Sequence, residues 1–120
     1  MMNDNPREFD VIVVGATGFT GALVAEDLCD RYGVGKDLRW AAAARNEQKL
    51  AALRDSLGSA ATSLPLIVAD TLDAASMRNL AKRTRVILTT VGPYARYGSE
   101  LVAACAESGT HYCDLAGEVQ

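Results

Sequence analysis

The stretch Phe9-Asp-Val-Ile-Val-Val-Gly-Ala-Thr-Gly-Phe-Thr-Gly21 decides the fold. Val11 to Val14 is an unbroken β-branched run, which suits a strand covered on both faces of a parallel sheet. Gly15, Gly18 and Gly21 follow at intervals of three, and a helical pattern starts at once. Strand, glycine turn and helix start in that order form the context in which a glycine motif becomes a dinucleotide site. Each glycine has its own task. Gly15 turns the chain off the strand, Gly18 gives a pyrophosphate room against the backbone, and Gly21 lets the helix lie close on the sheet. The N–H groups from Ala16 and Thr17 through Phe19 and Thr20 are expected at the positive end of the helix dipole, where phosphate is favoured. A tight strand-to-helix turn without a ligand is the competing reading. The flanking strand and helix decide against it.

Outward from this turn, apolar segments of two kinds alternate. The first strand is expected over Phe9 to Val14, after a flexible leader at residues 1–8 in which Pro6 opposes an earlier strand start. A helix follows from Thr17 or Gly18 to Arg31, with Leu23, Val24, Ala25 and Leu28 as its buried stripe. Gly33 and Gly35 punctuate its exit. Leu38 to Ala44 reads as the second strand by its place in the alternation, because alanine alone is a poor strand former. Asn46 caps a second helix whose face carries Leu50, Leu53 and Leu57, and Gly58 stops it. Residues 59–63 read as a polar loop, and Leu64 to Ala69 as the third strand. Asp73 caps a third helix facing inward through Met77, Leu80 and Ala81. Arg85 to Thr90 is the fourth strand, broken by Gly92 and Pro93. A fourth helix is expected over Ser99 to Ser108, with Leu101, Val102 and Cys105 inward. His111 to Cys113 is a short fifth strand.

Strand and helix alternate through four and a half units, the mark of a doubly wound α/β sheet of Rossmann type. Right-handed crossovers and a glycine turn after the first strand predict the strand order 3-2-1-4-5. The single domain is expected over residues 9–120, with a sixth strand and a second domain lying beyond this chain.

Composition narrows the function classes. The chain has 120 residues, 49% hydrophobic and 22% charged, enough to bury a real core. Its net charge is −3 and no basic cluster is present, which argues against nucleic acid as the main partner. The mixed polar start shows neither a signal peptide nor a membrane span, so the expected compartment is the cytoplasm. Cys29, Cys105 and Cys113 are odd in number and far apart. That spacing gives no metal site and no disulfide framework, and it reads as reduced, buried thiols.

The second strand names the nucleotide. An NAD site places Asp or Glu at that strand's tip, for the ribose hydroxyls. Here the tip reads Ala42-Ala-Ala-Arg45-Asn46, and Asp37 and Glu47 fall on either side of it. A guanidinium at Arg45 can grip a 2′-phosphate with two parallel hydrogen bonds, so NADP is expected over NAD. Asp70, ending the third strand, is a candidate acceptor for the adenine amino group or a plain turn residue. Thr89-Thr-Val-Gly-Pro-Tyr94 ends the strand across the switch point. Val91, Gly92, Pro93 and Tyr94 are therefore expected along the second phosphate and the nicotinamide ribose. Tyr32-x-x-x-Lys36 has the spacing of a short-chain dehydrogenase catalytic pair, but it falls at the amino edge of the sheet, away from ligands. His111, the single histidine, falls at that edge too. No general acid is assigned.

With these residues placed, the chain resembles the amino-terminal part of the saccharopine dehydrogenase-like oxidoreductases, and most of all the branch of actinobacterial trans-acting enoyl reductases. The matching pieces are Gly15-Ala-Thr-Gly-Phe-Thr-Gly21, Ala43-Ala-Arg-Asn46, Thr90-Val-Gly-Pro-Tyr94 and Tyr112-Cys-Asp-Leu-Ala-Gly-Glu118. The resemblance implies a piece of a longer NADP-dependent enzyme. Its substrate, a small molecule or an acyl group with an enoyl or imine function, would be held by an absent second domain. It also implies that the piece alone turns nothing over. An exposed fifth-strand edge, or the face near Tyr94 to Tyr97, is expected to pair copies of the chain as a homo-oligomer. Two other readings stand beside this one. One is a non-catalytic NADP sensor. The other is an extended short-chain dehydrogenase, which needs a Tyr-x-x-x-Lys helix after the fifth strand.

Overall fold

In the computed structural model, residues 7–70, 72–90 and 95–114 are described, with the backbone alone for residues 95–100 and 114. Five strands, β1 Phe9–Val14, β2 Trp40–Ala44, β3 Leu66–Val68, β4 Thr84–Thr89 and β5 His111–Asp114, form one parallel sheet in the order β3-β2-β1-β4-β5. Four helices cover it: α1 Phe19–Tyr32, α2 Glu47–Ser56, α3 Ala74–Lys82 and α4 Ala95–Ser108. This is the expected Rossmann-type order.

Strand alternation divides the core in two. Ile12, Val14, Ala41, Ala43 and Ile87 pack with Met77, Leu80 and Ala81 of α3 and with Leu101, Ala104 and Cys105 of α4. Val13, Trp40, Ala42 and Ala44 point the other way, toward Ala25 of α1 and Leu50 and Leu53 of α2. Consecutive residues serve opposite faces, as period-two geometry requires. The alanine run of β2 is buried throughout, so both helix layers come close to a strand that has little bulk of its own. Trp40 fills the amino end of that strand, and its indole N–H donates to the Gly33 carbonyl at 2.8 Å. Burial pushes the Cys105 thiol up to about 11.

The expected caps form. Asn46 Oδ1 accepts from the Lys49 N–H at 2.9 Å, and Asp73 Oδ1 from the Ala75 N–H at 3.0 Å. Several expectations need correction. Leu23 is exposed, because the inward face of α1 repeats through Gly21 and Ala25, about half a turn away. Val102 is likewise exposed, since the buried side of α4 runs through Leu101, Ala104 and Cys105. That helix begins at Ala95, not Ser99, because one interior glycine, Gly98, costs only about 1 kcal/mol and does not stop a helix. β3 is three residues long, since Pro65 has no N–H to add to the ladder, although its carbonyl still accepts from Ala42 N–H at 3.1 Å. The polar loop contains a 3₁₀ turn at Ser59–Ala61. Cys113 is exposed, not buried.

Arg7 and Glu8, which precede the first strand, make specific contacts. The half-buried Arg7 guanidinium donates to the carbonyls of Ala81 and Thr84 at 2.9 Å each, to Thr110 Oγ1 at 2.8 Å and to the Ser108 carbonyl at 2.6 Å. Glu8 pairs with Arg83 at 2.8 Å. Arg7 thereby ties the start of β1 to the ends of α3 and α4 and to β4, all at the edge of the sheet opposite the glycine turn.

Candidate dinucleotide site

The carboxyl ends of the strands bring the expected site residues to one edge. Val14 is in register with Ala43 of β2 and with Thr89 of β4, and Ala44 is in register with Val68 of β3. The segments that follow, from Gly15, Arg45, Asp70 and Thr90, therefore line up beside one another. The crossover from β1 leads to β2 on one side, and β4 lies on the other. This is the switch point at which open α/β sheets bind ligands.

The three glycines answer to three different constraints. Gly15 sits at φ +83°, which only glycine adopts without strain. Its N–H and that of Ala16 both donate to the Ala43 carbonyl, at 2.9 and 3.2 Å, which locks the turn onto β2. Gly21 permits no side chain. A Cβ there would lie 2.8 Å from the Ala16 Cα and closer still to the Gly15 carbonyl oxygen. Gly18 is different. Its backbone is extended, at φ −76° and ψ 171°, which any residue adopts. Among the described residues, a Cβ there would meet only the Gly15 oxygen, at an ordinary 3.5 Å. Neither backbone conformation nor packing against those residues asks for glycine at position 18. The space it leaves open is one that a side chain would enter.

Donors lie beside this space in the chain. α1 has no side-chain cap and no acidic residue in its first turn. Gly18 N–H is used by the Gly15 carbonyl at 3.1 Å. Among the described residues, the backbone N–H groups of Thr17, Phe19, Thr20 and Gly21 have no protein acceptor. Four free donors at the positive end of a fourteen-residue helix suit an anion. Ala16 is fully buried, Thr17 half-buried, and Phe19 and Thr20 exposed.

Arg45 stands exposed just past β2, and among the described residues its guanidinium has no carboxylate or carbonyl partner. Asp70 is half committed to a turn. Its Oδ1 accepts from Leu72 N–H at 2.9 Å, and its own N–H donates to Ser76 Oγ at 3.1 Å. Its other carboxylate oxygen has no partner among the described residues. Val91, Gly92, Pro93 and Tyr94 lie outside the described residues. Tyr32 ends α1 and Lys36 follows it, and His111 opens β5 in register with Val86, all at the far edge from the glycine turn.

One residue had no role from sequence. Thr90 N–H donates to the Val14 carbonyl at 3.0 Å, and its hydroxyl reaches the carbonyls of Gly15 at 3.1 Å and Val14 at 3.3 Å. The only signal for it was a hydroxyl residue ending the strand next to the switch point.

Comparison with known proteins agrees with this geometry. The family model described as the saccharopine dehydrogenase NADP binding domain matches residues 11–119. The chain is 49% identical over 118 residues to a trans-acting enoyl reductase of Mycobacterium ulcerans, covering 98% of this chain and 28% of that protein. This chain thus spans little more than a quarter of that relative. Among solved structures it resembles the apo saccharopine dehydrogenase (L-Glu forming) of Saccharomyces cerevisiae, at a TM-score of 0.67 and 18% identity, covering 88% of this chain and 21% of that one. It also resembles the Citrobacter sp. triphenylmethane reductase complexed with NADP(H), at a TM-score of 0.70 and 22% identity, covering 88% of this chain and 36% of that one. These two likenesses show the fold. The family match covers nearly all of the sheet and the whole glycine turn, and by it the chain belongs to the saccharopine dehydrogenase NADP-binding domain family.

Proposed function

We propose that this domain holds NADP(H) along the carboxyl edge of its sheet and serves a reductase whose substrate is bound by another part of the full-length protein. The pyrophosphate lies on the N–H groups of Thr17 to Gly21, over Gly18. Arg45 takes the 2′-phosphate, and the free oxygen of Asp70 accepts from the adenine amino group. The nicotinamide half runs toward residues 91–94. The observation that carries this is the open space at Gly18, where, among the described residues, neither backbone conformation nor packing requires a glycine.

NADPH supplies a hydride when bound, and the protein contributes position and electrostatics. The name of the Mycobacterium ulcerans relative points to an enoyl group as the acceptor. Nucleic acid is not a partner in this reading, and among the described residues no helix is long and apolar enough to cross a membrane. The test is an NADPH oxidation assay on the full-length protein with enoyl thioesters. Substrate-dependent loss of NADPH absorbance, abolished by Gly18→Val, supports the reading. No turnover with enoyl or imine substrates, despite tight NADPH binding, refutes the reductase assignment and leaves the cofactor assignment standing.

A further inference from the structure

We infer that Thr90 is a positioning residue for the phosphate turn: from the end of β4, its hydroxyl fixes the Gly15–Ala16 peptide with the carbonyl facing into the protein. The inference rests on the NADP(H) reading of that turn.

Glycine at φ +83° has other conformations open to it, so the orientation of its carbonyl depends on what the oxygen meets. Here the Gly15 oxygen accepts from Gly18 N–H and from Thr90 Oγ1, both at 3.1 Å. Gly18 belongs to the turn and moves with it. Thr90 does not, because its own N–H is fastened to the Val14 carbonyl at 3.0 Å, one residue past the Val14–Thr89 register pair. It is therefore the anchor that ties the Gly15 carbonyl to β4. The orientation matters for charge. A carbonyl oxygen rotated outward would present partial negative charge to a pyrophosphate, beside the N–H groups of Thr17, Phe19, Thr20 and Gly21 that have no acceptor among the described residues. The carbonyl held inward keeps that charge away from them. Threonine suits the task, since its branched Cβ restricts χ1 and keeps the hydroxyl aimed.

The test is calorimetry on the full-length protein with two ligands. NADPH engages the turn, whereas adenosine 2′-monophosphate carries the 2′-phosphate but no pyrophosphate. Thr90→Val keeps the shape and removes the donor, and Thr90→Ala repeats the removal with a smaller side chain. We expect both to weaken NADPH roughly 5- to 20-fold, the scale of one lost hydrogen bond. Binding of adenosine 2′-monophosphate should be unchanged, and Thr90→Ser should stay within about twofold of wild type for NADPH, because it keeps the hydroxyl. Native NADPH affinity in the valine and alanine variants overturns the inference. So does an equal loss for both ligands, which is general loosening of the fold, and so does a serine variant as weak as valine. A wild type that binds adenosine 2′-monophosphate but not NADPH overturns the pyrophosphate reading and the inference with it. A wild type that binds NADPH tightly beside an unaffected valine variant overturns the inference alone.

Discussion

Gly21 and Gly15 touch so closely that no side chain fits between them: a Cβ on Gly21 would overlap the Gly15 carbonyl oxygen. This contact sets how near α1 lies to the end of β1, and so where the free N–H groups of the first helical turn point. Both partners are backbone, and neither can swing aside as a side chain would. Gly21→Ala is therefore expected to cost about 3 kcal/mol or more of stability, the upper range for overpacking. Urea unfolding monitored by circular dichroism measures it. A cost below about 0.5 kcal/mol, the ordinary effect of a surface substitution, would show that the helix backs away freely.

Gly18 predicts the opposite pattern. A Cβ there meets, among the described residues, nothing closer than 3.5 Å, and in the proposed reading it enters the phosphate space. Gly18→Val should leave the unfolding transition within about 1 kcal/mol of wild type, in line with ordinary context, while abolishing NADPH binding. The pair of variants separates the glycine that the fold requires from the glycine that the ligand requires. A Gly18→Val protein that still binds would place the phosphate elsewhere.

Much of this was legible in the sequence because it rested on local chemistry. The β-branched run of β1, the glycine spacing and the caps Asn46 and Asp73 each act within a few residues, and the alternation of elements carried the strand order. What escaped it depended on contacts distant in the chain. Arg7 reaches partners 74 to 103 positions away, so nothing near Arg7 announces that it is anchored. Thr90 meets Gly15 across 75 positions. Leu23 and Val102 failed differently. They are apolar residues beside a true buried stripe, and composition alone cannot tell the stripe from its neighbours. The motif gave Gly15 and Gly21 tasks in the fold, and the positive φ at Gly15 and the lack of room for a Cβ at Gly21 agree with them.

Arg7 makes a stability prediction away from the site. Its guanidinium satisfies three carbonyls and the Thr110 hydroxyl, and Thr84 is fully buried beside it. Arg7→Ala removes these donors and is expected to cost about 2–4 kcal/mol. Arg7→Lys should recover less than half of that, because an ammonium cannot span the sites reached by a planar fork. Denaturant midpoints of the three proteins decide it. A lysine variant as stable as wild type would mean that charge alone, and not the fork, holds the amino terminus.

Arg45 has no carboxylate or carbonyl partner among the described residues, at the position where an NAD site carries an acid, and the proposed NADP(H) reading gives it the 2′-phosphate. The most direct measurement is calorimetric titration of wild type and Arg45→Ala with NADPH and with NADH. Wild type should bind NADPH more tightly. Arg45→Ala should lose roughly 10- to 100-fold for NADPH, the scale of charge-assisted bonds to a phosphate, and change little for NADH. Equal wild-type affinities for the two nucleotides, or a loss on Arg45→Ala as large for NADH as for NADPH, would contradict it.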